Sequence, residues 1–397
     1  MDLEYSAEYK DFQEEVRAFA KNHGHKSPRG SAVARPTEQA REWQALLIEN
    51  GYAARTIPKQ YGGYGAEPDI LKNVIIAEEL NRAGLNRGLS NQGVTMLVPT
   101  LLEVGTQEQR DKWIRPTLYG EVMWCQGYSE PGAGSDLASL RTSATEDGDD
   151  FIINGHKIWT SSAHVADMMF ILVRTEPDAP KHHGISYLLL SMDTPGIEIQ
   201  PLVSMTGVAE FNEVFFTDVR TPQNQIVGKR GEGWQVANTT LKHERGMLGD
   251  PDRTARQLQA LIDCLKNEKA NGRALMDFPV YRDRVLRLQA RVKAMQYHSM
   301  RVLTCNLKDQ DAGVARLIVK LNATILNNEI CETAIDLLGE TGTLFGDSEY
   351  VRRDGMWQYA YMYSLGLIIG GGTSQIQKNI IAERGLGLPR EPKAKAS

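Results

Sequence analysis

The spacing of hydrophobic positions changes twice along this chain. Up to about residue 123 they recur at helical intervals. Phe12, Val16, Phe19 and Ala20 follow an acidic start, and Trp43, Ala45, Leu46, Leu47 and Ala53 form a second stripe. Residues 71–81 and 94–104 predict two further helices, the latter apolar enough to be central. Between the stripes, Ile57-Pro-Lys-Gln-Tyr-Gly-Gly-Tyr-Gly65 predicts a loop, because Pro and Gly interrupt any regular element. Thr106, with Gln109 three residues on, predicts a capped helix start.

Near Trp124 the period shortens. Phe151-Ile-Ile, Met168-Met-Phe-Ile-Leu-Val, Ile185-Ser-Tyr-Leu-Leu-Leu and Glu213-Val-Phe-Phe predict strands, with turns at Asp147-Gly-Asp-Asp, Asn154-Gly and Thr194-Pro-Gly. This is an all-β block of sandwich or barrel kind. After Trp234 the helical period returns over 235–248, 253–268, 278–305 and 313–338, which predicts a bundle. Residues 340–347 predict a loop and 376–385 a last helix. The fold class is therefore α+β, mainly α. Its three domains are a helical one at 1–123, a β one at 124–233 and a helical bundle at 234–397.

Composition narrows the function little. At 41% hydrophobic and 24% charged, the 397 residues suit a globular chain of more than one domain. A net charge of −5 gives no support for nucleic-acid binding. Cys125, Cys264, Cys305 and Cys331 are widely spaced, form no CxxC pair and have no His at metal spacing. They predict free thiols in a reducing compartment and no metal site. The polar, acidic first residues lack the pattern of a secretory or transit signal, and no apolar run approaches the ~18 residues that cross a bilayer. These features predict a cytoplasmic protein.

Three segments carry the chemistry. Glu130-Pro-Gly-Ala-Gly-Ser-Asp136 is a tight loop whose glycines leave backbone amides open to a close, phosphate-bearing ligand. Lys157-Ile-Trp-Thr-Ser161 sets an aromatic and a hydroxyl side by side after a strand. Gly370-Gly-Gly-Thr-Ser-Gln-Ile-Gln377 is a flexible loop entering a helix, with Thr373 or Ser374 as cap and free amides that favour an anion.

With the preceding Trp124-Cys-Gln-Gly-Tyr-Ser129, these segments resemble the flavin-contacting signatures of the acyl-CoA dehydrogenase family, in the same order and over nearly the whole chain. The resemblance implies the acyl-CoA dehydrogenase fold and an FAD cofactor. It implies that Gln126, Tyr128 and Ser129 line the flavin ring, and that Gly134 and Ser135 meet a phosphate or the CoA arm. Trp159 would pack on the flavin edge, Ser161 would hydrogen-bond near N5, and Thr373 and Gln375 would touch FAD.

The family reaction takes a proton from Cα of an acyl thioester while hydride leaves Cβ for flavin N5, which requires a carboxylate base. In the medium-chain branch a glutamate precedes Gly-Thr-Ser; here that position is Gly371. Isovaleryl- and long-chain-type members carry the base on a bundle helix instead. Thr240-Leu-Lys-His-Glu-Arg-Gly246 matches that segment, which implies Glu244 as base, followed by Arg245 beside the substrate. Gly371 would leave space near Cα for branched or bulky acyl groups.

Two family features are absent. The Tyr-x-x-x-Arg-x-x-Phe-Gly segment, whose arginine reaches FAD of a neighbouring subunit, has no match in 270–282, and a second FAD contact, a Gln, is replaced by Asp336. The wording of the motifs is similar to that of α2β2 dehydrogenases acting on steroid side chains, in which a paralogue completes the FAD site. The resemblance therefore implies an acyl-CoA dehydrogenase that forms a trans-2-enoyl-CoA and passes electrons to an electron-transfer flavoprotein. It would be a homo-oligomer (dimer or tetramer) or a heteromer. Two alternatives stay open: an oxygen-using oxidase or monooxygenase of the same fold, and a non-catalytic partner subunit.

Overall fold

Each amphipathic stripe runs until a capping or turn residue stops it, and this sets the element boundaries of the computed structural model. It describes residues 5–29, 35–247, 251–308, 310–346 and 348–390. Helix α1 (Ala7–His23) buries Val16 and Phe19. Helix α2 (Glu38–Glu49) starts where the Thr37 side chain accepts the Ala40 N–H, and it buries Trp43 and Leu47. It ends at Asn50, so Ala53 packs on the core from the turn beyond it rather than from the helix. Helix α3 (Ile70–Arg82) buries Ile75, Ile76 and Leu80 together with a charge, Glu79, which accepts hydrogen bonds from Gln13, Arg17 and Arg82. A π-turn over Gly93–Leu97 leads into α4 (Val98–Val104). Helix α5 (Gln107–Leu118) opens with the reciprocal Thr106–Gln109 capping box that the sequence predicts.

The β region is one seven-stranded sheet, not two stacked ones. Its strands are β1 (Trp124–Gly127), β2 (Ser143–Asp147), β3 (Asp150–Ser161), β4 (Met168–Arg174), β5 (Ile185–Ser191), β6 (Ile197–Leu202) and β7 (Phe211–Pro222). The order is β1-β4-β2-β3-β7-β6, with β5 paired to β4. β4 runs parallel to β1 and antiparallel to β5. The sheet curls into a half-barrel. Asn154-Gly155, predicted as a turn, instead lies inside β3, where the pairing with β7 slips by a bulge. A bulge and a turn use the same residue types, so the dipeptide alone does not separate them.

Strands β4 and β5 are buried on both faces, which explains their unbroken apolar runs. Phe170, Leu172, Tyr187 and Leu189 pack with Leu97, Leu101, Ile114 and Leu118 of the helical region. Met169, Ile171, Val173, Leu188 and Leu190 pack with Phe151, Ile153 and Val214 on the other face. Each such fully buried Leu, Ile or Phe contributes about 1.5–3 kcal/mol.

The chain divides into two compact units, residues 1–243 and 244–397. Helix α6 (Gly233–Met247) carries the chain from the first into the second. In the second unit, α7 (Pro251–Asn267), α8 (Pro279–Leu307) and α10 (Val319–Leu338) share a core of Leu258, Leu261, Val285, Leu288, Leu326 and Ile330. The long helix predicted over 313–338 is broken at Ile318, which separates a short α9 (Val314–Leu317) from α10. Two elements escape the sequence pattern. One is a two-stranded hairpin, β8 (Lys269–Ala270) with β9 (Arg273–Ala274), closed by Asn271-Gly272. The other is α11 (Met356–Ile369), which is apolar around its circumference and so shows no helical period. Helix α12 (Ser374–Ile380) follows it. Among the described residues no helix is long and apolar enough to cross a membrane.

Candidate functional site

Strand β3 alternates Phe151 and Ile153 into the core, and Lys157 keeps that parity. Its side chain is 0% exposed. An ammonium taken out of water must find partners. Lys157 Nζ donates to the Tyr128 carbonyl at 3.0 Å and to Glu130 Oε1 at 2.9 Å. The Glu130 carboxylate also accepts the backbone N–H groups of Arg141 (2.7 Å) and Thr142 (2.8 Å). Burial alone would raise the Glu130 carboxyl. The Lys157 charge and these hydrogen bonds outweigh burial and hold it below the usual carboxylate range. Burial pushes the Lys157 ammonium down to about 8, with Glu130 opposing the shift. One residue on, the Ile158 N–H donates to the Ser129 carbonyl at 2.9 Å. The segments 124–136 and 157–161 are thereby fastened together at three points.

The pairing of β3 with β7 slips again between Lys157 and Thr160. Trp159 occupies this slip with φ +59°, a left-handed conformation rarely taken by a bulky side chain. Its indole is 59% exposed and meets only the edge of the Phe211 ring among the described aromatic contacts, with centroids 5.9 Å apart. Strain of this kind costs about 1–3 kcal/mol and persists where the surroundings impose it. Beside it, Thr160 is buried; its carbonyl accepts from Asn212 Nδ2 at 2.9 Å, while its Oγ1 has no partner among the described residues. Ser161 is half-buried opposite Phe211.

The Glu130–Asp136 loop is folded by reciprocal hydrogen bonds between Glu130 and Ala133. Gly132, Gly134 and Ser135 are exposed. A Cβ at Gly132 or Gly134 would meet nothing within 4 Å, and neither has a left-handed φ. Neither packing nor backbone conformation requires glycine there, and the absence of side chains leaves the loop's backbone open to close approach. Gln126 is half-buried and its Oε1 accepts from Gln92 Nε2 at 3.4 Å. Tyr128 faces the other way: its ring is core, edge-on to Phe170 and Tyr187. Tyr128 therefore reaches this site through its backbone.

In the second unit, α11 ends in a turn with Gly371 at φ +64° and Gly372 at φ +96°. Thr373 Oγ1 caps α12 by accepting the Ile376 N–H at 3.2 Å, and Gln377 Nε2 donates to the Gly371 carbonyl at 3.2 Å. Lys320, buried in α10, donates to the carbonyls of Ile368 (3.0 Å) and Gly372 (2.7 Å). Gln375 is exposed. Ser374 Oγ is buried with no partner among the described residues.

Glu244 and Arg245 stand in the last turn of α6, and their side chains lie outside the described residues. The adjacent His243 places Nε2 3.1 Å from Glu103 Oε1. Asp336 accepts from Arg284 Nη2 at 3.0 Å, and the chain at 270–274 is the tight β8–β9 hairpin.

Motif reading passed over Lys157, Glu130 and Lys320 as functional positions. The signal was present: each lysine sits on the inward parity of an apolar element, and a buried charge demands a partner.

These features fit a bound flavin dinucleotide. Among the described residues, the glycine loop is open, the indole meets only the Phe211 edge among aromatic rings, and the buried Thr160 hydroxyl has no hydrogen-bond partner.

Comparison with known proteins gives a consistent picture. Models described as the acyl-CoA dehydrogenase N-terminal, middle and C-terminal domains match residues 6–121, 125–219 and 231–386. Acyl-CoA dehydrogenase IpdE1 of Mycobacterium tuberculosis is 39% identical, with 90% of each chain covered. Two solved structures, the Tcur3481-Tcur3483 steroid ACAD and the ChsE4-ChsE5 complex from Mycobacterium tuberculosis, each superpose with a TM-score of 0.81 at 30% identity. Each match covers 98% of this chain and 100% of the other.

Proposed function

Because the chain belongs to the acyl-CoA dehydrogenase family, whose members depend on FAD, we propose that it binds FAD and oxidises the Cα–Cβ bond of an acyl-CoA to a trans-2-enoyl-CoA. The observation that supports this most is the fastened pair of segments, one displaying Trp159 and the other carrying the open Gly132–Ser135 loop. FAD, when bound, supplies the hydride acceptor at N5. The chain's own residues bind and orient. Gln126, Tyr128, Ser129, Trp159 and Ser161 serve the flavin ring, and Gly134 and Ser135 the phosphates or the CoA arm. Thr373 and Gln375 are further FAD contacts. Glu244 takes the α-proton, and Arg245 and Gly371 border the substrate. We divide the chain at 123/124 and 233/234 and expect it to act in the cytoplasm, with an electron-transfer flavoprotein as acceptor.

The first test is the absorbance spectrum of the purified chain, followed by anaerobic titration with acyl-CoAs. A yellow protein bleached by one of them supports a self-sufficient dehydrogenase. Glu244→Gln should keep FAD and lose turnover by about 10²–10⁴; unchanged turnover would refute the assignment of the base.

A second reading rests on Asp336. Where the family presents a neutral Gln to FAD, this chain presents a carboxylate already paired with Arg284, and the β8–β9 hairpin stands where the arginine segment would be. Both favour a heteromer in which a paralogue completes the flavin site, and Gly371 favours a bulky, steroid-like acyl group as substrate, in line with the two similar solved structures. Co-purification of a paralogue supports it; a homotetramer with full FAD occupancy would sink it.

A further inference from the structure

We infer that Lys157 and Glu130 are positioning residues, a buried clamp that holds the flavin-facing surface in shape. This rests on the flavin reading above. Three hydrogen bonds join the two motif segments, and two of them come from the single Lys157 ammonium. Its carboxylate partner stands at the start of the glycine loop and also accepts the N–H groups of Arg141 and Thr142, just beyond the turn that follows the loop. The same lysine is the last residue before the slip that carries Trp159. One ion pair thus ties Tyr128, the start of the glycine loop and the chain at Arg141–Thr142 to the residue that precedes the slip at Trp159.

Stability alone does not account for such a pair. Two charges removed from water gain little over apolar side chains of similar volume, and breaking the pair by removing one partner is what costs most. What the pair gives, and an apolar contact cannot, is direction: an ammonium aimed at one carbonyl and one carboxylate sets the spacing of the two segments. With it gone, the backbone at Trp159 is free to leave its left-handed conformation.

The test uses the full chain. Lys157→Met removes the ammonium at similar volume. The double variant Lys157→Met/Glu130→Gln leaves no uncompensated carboxylate and carries the test if the single variant does not fold. Two quantities are measured on protein whose circular dichroism matches the parent. One is the dissociation constant for FAD, from quenching of flavin fluorescence. The other is acrylamide quenching of Trp159 without flavin, taken as the difference from a matched Trp159→Phe protein.

A clamp predicts FAD binding weakened by about tenfold or more, the worth of one charge-assisted hydrogen bond, and altered quenching of Trp159. If the double variant folds and matches the parent in both, the pair only fills the core and the inference is overturned. If the parent takes up no FAD, alone or with a co-purified paralogue, while Trp159 quenching still follows Lys157, the clamp stands and the flavin reading falls.

Discussion

Two buried lysines stand behind the two motif loops, and they do different work. Lys157 joins parts of the chain nearly thirty residues apart, by an ion pair and a carbonyl contact. Lys320 donates to the carbonyls of Ile368 and Gly372, at the end of α11 and just past it. The Ile368 carbonyl is among those a helix leaves unsatisfied at its C-terminus, where a cation is also favoured by the helix dipole. Lys157 ties two motif segments through an ion pair, whereas Lys320 reaches from α10 across 48 and 52 residues to satisfy carbonyls at the end of one helix. A buried cation is thus not one kind of feature: its partners decide whether it sets the relation of two segments or finishes one.

Substitution separates the two. Lys157→Met should have the largest effect, about 3–5 kcal/mol, because it strands the Glu130 carboxylate in the core. Denaturant unfolding measures it, and the Lys157→Met/Glu130→Gln double variant should recover much of the loss. Lys320→Met should cost about 1.5–3 kcal/mol, with faster hydrogen exchange confined to the amides around residues 370–377. Thr373→Ala removes only the cap of α12 and should cost about 1 kcal/mol, in the same exchange experiment.

The mildest contrast is with pH. Glu130 is held below its ordinary value of 4.5, so its stabilising contribution is complete above that pH and is lost as pH falls through the lowered value. Glu130→Gln should remove this part of the acid sensitivity, whereas Lys320→Met should leave it intact. Thermal unfolding followed down a pH series distinguishes them.

Much of this was legible in the sequence. The stripe from Phe12 to Phe19 and the Thr106–Gln109 box each contain a complete local signal, and the structure returns α1 and the capped start of α5. Helix α11 had no such signal, since a helix apolar on every side has no polar face to mark its period. Asn154-Gly155 was ambiguous for another reason: only the partner strand decides between bulge and turn. The motif segments were readable as residue types. What fastens them was not, because the Lys157–Glu130 bond depends on β3 and the end of β1 lying side by side. Tyr128 shows the limit from the other side, since a residue can belong to a ligand motif while its ring belongs to the core.

The turn at Gly371 constrains how such a chain can change. With φ at +64°, any side chain there brings its Cβ against a carbonyl oxygen, at about 1–2 kcal/mol. A carboxylate introduced at 371 by one substitution would therefore arrive on a backbone that resists it, aimed by a geometry belonging to glycine. Relocating a catalytic base to this loop therefore trades stability for chemistry, and the loss is recovered only where the turn itself is rebuilt around the new side chain.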